Sequence, residues 1–228
     1  MTQPGSALEI PTDGEVEELA GYAALATAAA GVGYAVAFVG VKSALWSAVF
    51  LLGGSALSIF VLVTVYQRFR SVQPTIALWA LLFGLAGAIG AAIHGGYDLT
   101  NELHPDSALS GFPNPVDPRG LLTFGASGIA LLIGGFLVAR VPSLPTWARW
   151  LAYAAGLALV ATYLGRLIVL DANSPYVLGP ALVAGVLSPL VYVGIGVWLT
   201  RESARAAGAA GADSAAGADG AAAPGRAP

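Results

Sequence analysis

Residues 44–66 read ALWSAVFLLGGSALSIFVLVTVY, a run without a single Asp, Glu, Lys, Arg or His. Held as a helix at about 1.5 Å of rise per residue, such a run crosses a hydrocarbon layer of about 30 Å, for which about 20 apolar residues suffice. A buried helix of a soluble domain rarely continues that far without a charged face. The interruption at Gly53-Gly54-Ser55, with Ser58 one turn on, is compatible with a span, because small residues let helix backbones approach closely in lipid.

Five further windows repeat the pattern, giving candidate spans at 19–41, 44–66, 76–97, 120–140, 148–170 and 177–199. The ionisable side chains in these other five are His94, Arg140, Arg149 and Arg166. Composition agrees: 57% of the 228 residues are apolar and 10% charged, against about 25% charged in a soluble domain. An ordinary cytosolic enzyme is thereby excluded, and so is disorder over most of the chain. The absence of cysteine removes disulfides, cysteine-ligated metal centres and thiol nucleophiles. With 10 Lys+Arg against 13 Asp+Glu and no basic cluster, nucleic acid is not an expected partner. The expected fold is all-α, a polytopic bundle of six transmembrane helices over 19–200. An acidic segment, 1–18, precedes it, and an Ala/Gly-rich tail, 201–228, is expected to be disordered because its glycines oppose helix.

Glu9, Asp13, Glu15, Glu17 and Glu18 precede the first window without a Lys or Arg, which is the opposite of a secretory leader. Thr12 and Glu15 have capping-box spacing, so helix 1 is expected to start near residue 13. With six spans, Arg68, Arg70, Arg140, Arg149, Arg201, Arg205 and Arg226 share one side, against Lys42 and Arg119 with Arg166 nearby on the other. Cytoplasmic loops are enriched in Lys and Arg. Both termini are expected to be cytoplasmic, in an inner (plasma) membrane.

The long outer connection, 98–119, carries Pro105, Pro113, Pro115 and Pro118, which restrict the backbone and lower its entropy loss on ordering. It is expected to form a structured cap. The stretches HGGYD (94–98), NPVDPRGLLTFG (114–125) and YLGRLIVLD (163–171) resemble a group of uncharacterised small bacterial six-span integral membrane proteins, over roughly 76–199. That resemblance implies a membrane location and supplies no activity.

Polar chemistry collects at the outer ends of helices 3 to 5. Gly84, Gly87, Ala91, His94 and Asp98 follow one helical face, and Thr123, Ser127, Ala130 and Gly134 form a stripe on helix 4. Helix 5 aligns Ala155, Thr162, Tyr163 and Arg166. An Arg inside a span pairs or snorkels; Asp98, Asp171 and the loop residue Asp117 are the acidic partners in reach, and an internal pair is the expectation. His94, Tyr97, Asp98, Asp117, Arg119, Tyr163, Arg166 and Asp171 are therefore the candidate ligand-binding or polar-network residues. His94, Asp98, Glu102, His104 and Asp106 also have donor chemistry for a divalent cation, but no HExxH-type spacing is present. A His94–Asp98 hydrogen bond beside a solvated loop explains them more simply, so neither a metal nor another cofactor is expected. Ser188-Pro189 in helix 6, flanked by Gly185, creates a kink or a polar point at membrane depth.

The chain is expected to be non-enzymatic, binding a small molecule, lipid or protein partner at the outer face, or serving as an accessory subunit. Beyond the bilayer lipid, the partner is a protein or small ligand at that face. A small transporter or channel is the alternative, and an intramembrane enzyme using His94, Asp98 and Arg166 the second.

Overall fold

The computed structural model describes residues 13–107, 118–169, 171 and 174–221. Among them every regular element is helical: α1 (Asp13–Ala35), extended by a π-helical turn (Val36–Val41), α2 (Ala44–Phe69), α3 (Pro74–Leu103) with a 3-10 turn (Pro105–Ser107), α4 (Pro118–Val138), α5 (Thr146–Ile168) and α6 (Pro175–Ala221). Five stretches are long and apolar enough to cross a membrane: Gly14–Val41, Ala44–Phe69, Pro74–Leu103, Thr146–Ile168 and Pro175–Ala209. The expected span at 120–140 falls on α4, whose described apolar portion, Leu122–Val138, is shorter. Of the connection 98–119, expected as a cap, residues 98–103 continue α3, Pro105–Ser107 form the 3-10 turn and 118–119 begin α4, while 108–117, with Asp117, lie outside the described residues.

Local chemistry places the boundaries. Lys42 adopts the left-handed conformation (φ 55°) that ends a helix, and Ser43 then caps α2 by accepting a hydrogen bond from the Trp46 amide at 3.4 Å. Pro74, Pro118 and Pro175 begin α3, α4 and α6, where a missing N–H costs nothing. Extended backbone at Pro145 opens α5.

Each helix packs on its chain neighbours, and α1 packs on α6, closing a ring. Glycines sit at the closest approaches. A Cβ on Gly21 of α1 would lie 3.1 Å from the Gly196 carbonyl oxygen of α6, and one on Gly196 would lie 2.9 Å from that of Gly21. Gly128 of α4 and Gly156 of α5 are related in the same way, at 3.0 and 2.9 Å. Gly95 of α3 abuts the backbone of Ala48 and Leu52 on α2. This is the small-residue packing of helices in lipid. Buried positions are mostly alanine and glycine, whereas Val36, Trp46, Leu82, Leu122, Leu157 and Val186, one from each segment around the ring, are exposed on its outside. Large apolar side chains facing outward all round suit a hydrocarbon surrounding.

The end of the bundle carrying the 70–73 and 139–145 connections, here the lower end, holds the densest core. Ala20, Phe69, Ala77, Leu137, Trp198 and Leu199 are buried together there. The Phe69 and Trp198 rings stack at 5.9 Å, and Trp198 Nε1 donates to Ser143 Oγ at 3.3 Å. Arg68 pairs with Glu17 beside this core, tying α2 to α1.

The tail departs from expectation: α6 continues through the Ala/Gly-rich stretch to Ala221. The expectation of disorder rested on the tail's glycines, yet nucleation is the costly step of helix formation. Attached to an existing helix the tail needs only propagation, and alanine propagates best. Ser203 Oγ donates to the Gly14 carbonyl at 2.9 Å, and Glu202 pairs with Arg205 at 2.5 Å, holding the first turns beyond the bundle.

Candidate functional site

The upper half of the ring encloses a cavity of about 270 Å³ to which all six helices contribute. Small side chains leave this space. Gly84, Gly87 and Ala91 of the α3 stripe line it, as do Thr123, Ser127 and Ala130 of the α4 stripe, with Gly54, Ser55 and Ser58 opposite on α2. No charged side chain lines it among the described residues.

Its hydroxyls are mostly committed to their own helices. Thr27 donates to the Ala23 carbonyl at 2.8 Å, Ser55 to Leu51 at 2.5 Å and Ser58 to Ser55 at 2.7 Å. Their oxygens keep lone pairs with which to accept. Ser188 is different: its Oγ is buried and has no hydrogen-bond partner. The next residue, Pro189, packs its ring on Gly31 of α1, 3.2 Å from where a Cβ there would be. Lacking an N–H, Pro189 also deprives the Gly185 carbonyl of its helical donor. An unused hydroxyl and a freed carbonyl thus occur within one turn of the cavity wall.

His94 and Asp98 continue the α3 stripe one and two turns above the cavity, and His94 Nε2 lies 3.1 Å from Asp98 Oδ2. Gly120, at the start of α4, stands against the His94 ring, since a Cβ on it would lie 3.8 Å from His94 Cε1. Tyr34, which lines the cavity, is within electrostatic reach of Asp98. His94 and Asp98 therefore stand just above the upper cavity.

Tyr163 lays its ring against Gly125 of α4, 3.0 Å from a Cβ built on that glycine. Tyr97 is half-buried on α3 and Asp171 is exposed past the end of α5. Among the described residues half-buried Arg166 forms no ion pair with Asp98 or Asp171, and the third expected partner, Asp117, lies outside them. Asp117 and the side chain of Arg119 lie outside the described residues. Glu102, His104 and Asp106 are exposed, and among the described residues no group of three or more His, Asp or Glu side chains is placed to share a metal ion.

Sequence reasoning singled out Ser188-Pro189 and the two small-residue stripes without joining them. Thr27 and Tyr34 escaped it, because nothing in the uncharged window 19–41 marks which of its faces turns inward. No protein-family model, curated protein or solved structure matches the chain.

Proposed function

We propose that the chain is a six-span bacterial inner-membrane protein, termini cytoplasmic, that binds a small uncharged molecule in the ring cavity without transforming it. The observation that carries this reading is the partnerless Ser188 hydroxyl in an uncharged cavity walled by all six helices. A buried unsatisfied polar group costs about 1–3 kcal/mol, which a bound acceptor or donor offsets. Charged ligands are disfavoured, because no countercharge waits inside.

Six spans follow if α4 crosses with its neighbours. Its 21 residues extend about 30 Å as a helix, and it packs along α3 and α5. The arginine excess at the lower end supports cytoplasmic termini. The upper side of the cavity, with His94 and Asp98 above it, then faces outward, so a ligand enters from the extracytoplasmic side. Binding is favoured over passage because no charged side chain lines the upper cavity among the described residues, and Phe69, Leu137, Trp198 and Leu199 pack together below it. Enzyme chemistry lacks its third group, since Arg166 does not join His94 and Asp98.

The test is mass spectrometry of small molecules extracted from the purified wild type, Ser188→Ala and the cavity-filling Ser188→Phe. A species retained by the wild type, reduced in the alanine variant and absent from the phenylalanine variant is expected. Ser188→Ala should also raise the melting temperature of ligand-stripped protein, since an orphaned hydroxyl is removed. Identical extracts from all three, with no rise in stability, would overturn the reading.

A further inference from the structure

A second cavity, of about 410 Å³, occupies the lower half of the bundle, walled by α2 to α6 with no contribution from α1. Its lining is apolar except at the lower rim, where Arg201, Glu202 and Arg205 stand. Helices α5 and α6 pack together above it at Ala158, Leu159 and Ala184. They meet again below, where Trp147 lies 3.4 Å from a Cβ built on Gly194. Between these two contacts Ala148, Leu151 and Ala152 of α5 and Val191 of α6 line the cavity. Trp147 and Val193, both cavity-lining, are also exposed on the outside of the bundle, at 57% and 39%. The cavity is therefore reached sideways, between two helices, at the level of a tryptophan, the residue that favours a membrane–water interface.

We propose that this cavity takes an acyl chain of an anionic phospholipid from the surrounding bilayer, with Arg201 holding the headgroup phosphate. Apolar walls suit the chain and would reject a polar solute. The rim supplies the complementary charge: Arg205 is already paired with Glu202 at 2.5 Å, while Arg201 is exposed and has no carboxylate partner among the described residues. A guanidinium matches phosphate through its planar fork, and basic sites between membrane helices are where anionic headgroups dock. This site shares the wall residues Leu62, Ala130 and Leu131 with the hydroxyl-lined cavity but neither Ser188 nor any charged residue, and it rests only on the bundle being embedded in lipid.

The experiment is native mass spectrometry of the full chain in detergent, with phosphatidylglycerol and phosphatidylcholine of identical chains supplied at equal concentration. Wild type should retain phosphatidylglycerol about tenfold better, the ratio expected for one charge-assisted hydrogen bond. Arg201→Gln should bring it down to the phosphatidylcholine level, and Arg201→Lys should recover part of the difference. Gly194→Leu, whose Cβ has room beside Trp147, should close the slot and reduce retention of both lipids. Glycerol phosphate, the headgroup without chains, should displace neither. Equal retention of the two lipids by wild type, or a preference that survives Arg201→Gln, would refute the phosphate assignment. Displacement by glycerol phosphate alone, or undiminished binding in Gly194→Leu, would refute the chain assignment. None of these outcomes bears on the Ser188 cavity.

Discussion

Substituting Gly156 by alanine tests whether the ring is held by backbone contact between neighbours. The new Cβ would lie 2.9 Å from the Gly128 carbonyl oxygen and 3.0 Å from the Leu132 amide nitrogen. Neither obstacle is a flexible side chain, so α4 and α5 must move apart. A gap of about 0.5–1 Å already forfeits a quarter to a half of each dispersion contact, and the loss spreads along the whole seam. Overpacking of this kind costs about 1–3 kcal/mol, while replacing a helical glycine by alanine returns about 1 kcal/mol. Gly156→Ala should therefore be destabilising by about 0–2 kcal/mol. Gly53→Ala is the control, because a Cβ there meets nothing within 4 Å. It keeps the propensity gain alone, about 0.5–1 kcal/mol, so the difference between the two variants isolates the clash. Gly128→Ala should couple with Gly156→Ala: both methyls enter one gap, and the second is cheaper once the helices have parted. Unfolding in detergent, followed by loss of helical signal, provides the measurement. Equal shifts in the same direction for Gly156→Ala and Gly53→Ala would refute the close seam.

Three further outcomes follow from individual contacts. Arg68→Gln should cost about 1–3 kcal/mol, between the values for exposed and buried pairs, because its partner Glu17 is only 16% exposed; a thermal double-mutant cycle with Glu17→Gln should show strong coupling. Arg166→Leu should cost no more than about 1 kcal/mol and be additive with Asp98→Asn and with Asp171→Asn, whereas coupling to either aspartate would restore the internal pair that sequence reasoning expected. Deleting 206–228 should leave the melting temperature unchanged, since the Ser203–Gly14 bond remains and residues 206–209 are exposed, yet it should lower the helical circular-dichroism signal because α6 continues beyond that point.

The helices were legible because hydropathy reports what lipid tolerates, and 57% apolar composition leaves few other solutions. Their ends were less so. The window 76–97 stops short of α3, which continues past Asp98 and Glu102 to Leu103, and 44–66 stops short of α2, which runs through Arg68 to Phe69. Charge marks where a helix leaves hydrocarbon, not where its hydrogen bonding ends. Ring closure was not readable, since α1 offers alanine and glycine on more than one face and either could have met α6. The candidate site was found in part. The α3 stripe was recognised, but small residues serve both close packing and empty space: Gly87 abuts Ser127 of α4 while also lining the cavity. The partner of Arg166 was not readable, because spacing along a helix sets depth but not the direction in which a long side chain leaves it.

Why the ring holds a cavity rather than a core follows from geometry. In a regular hexagon the centre lies one side-length from each vertex, so helices packed at about 8–10 Å from their neighbours stand about 8–10 Å from the axis. A helix with full-sized side chains has a radius of about 5–6 Å, which leaves an axial gap several ångströms wide unless large residues point inward. At the lower end some do: Phe69, Trp198, Leu137 and Leu199 pack together beside the lower cavity. Two to four turns higher the inward positions are Gly54, Ser55, Gly84, Gly87, Ala184 and Ser188, whose short side chains cannot reach one another across the gap. Had the upper half been selected for stability alone, aliphatic side chains at these positions would close the space at a gain of about 24 cal/mol per Å³ of cavity removed. For about 270 Å³ that forgone stabilisation is about 6 kcal/mol, comparable with the whole net stability of many domains. A cost of that size, concentrated where Ser188 lacks a partner, is the energetic reason for assigning the upper cavity to a ligand.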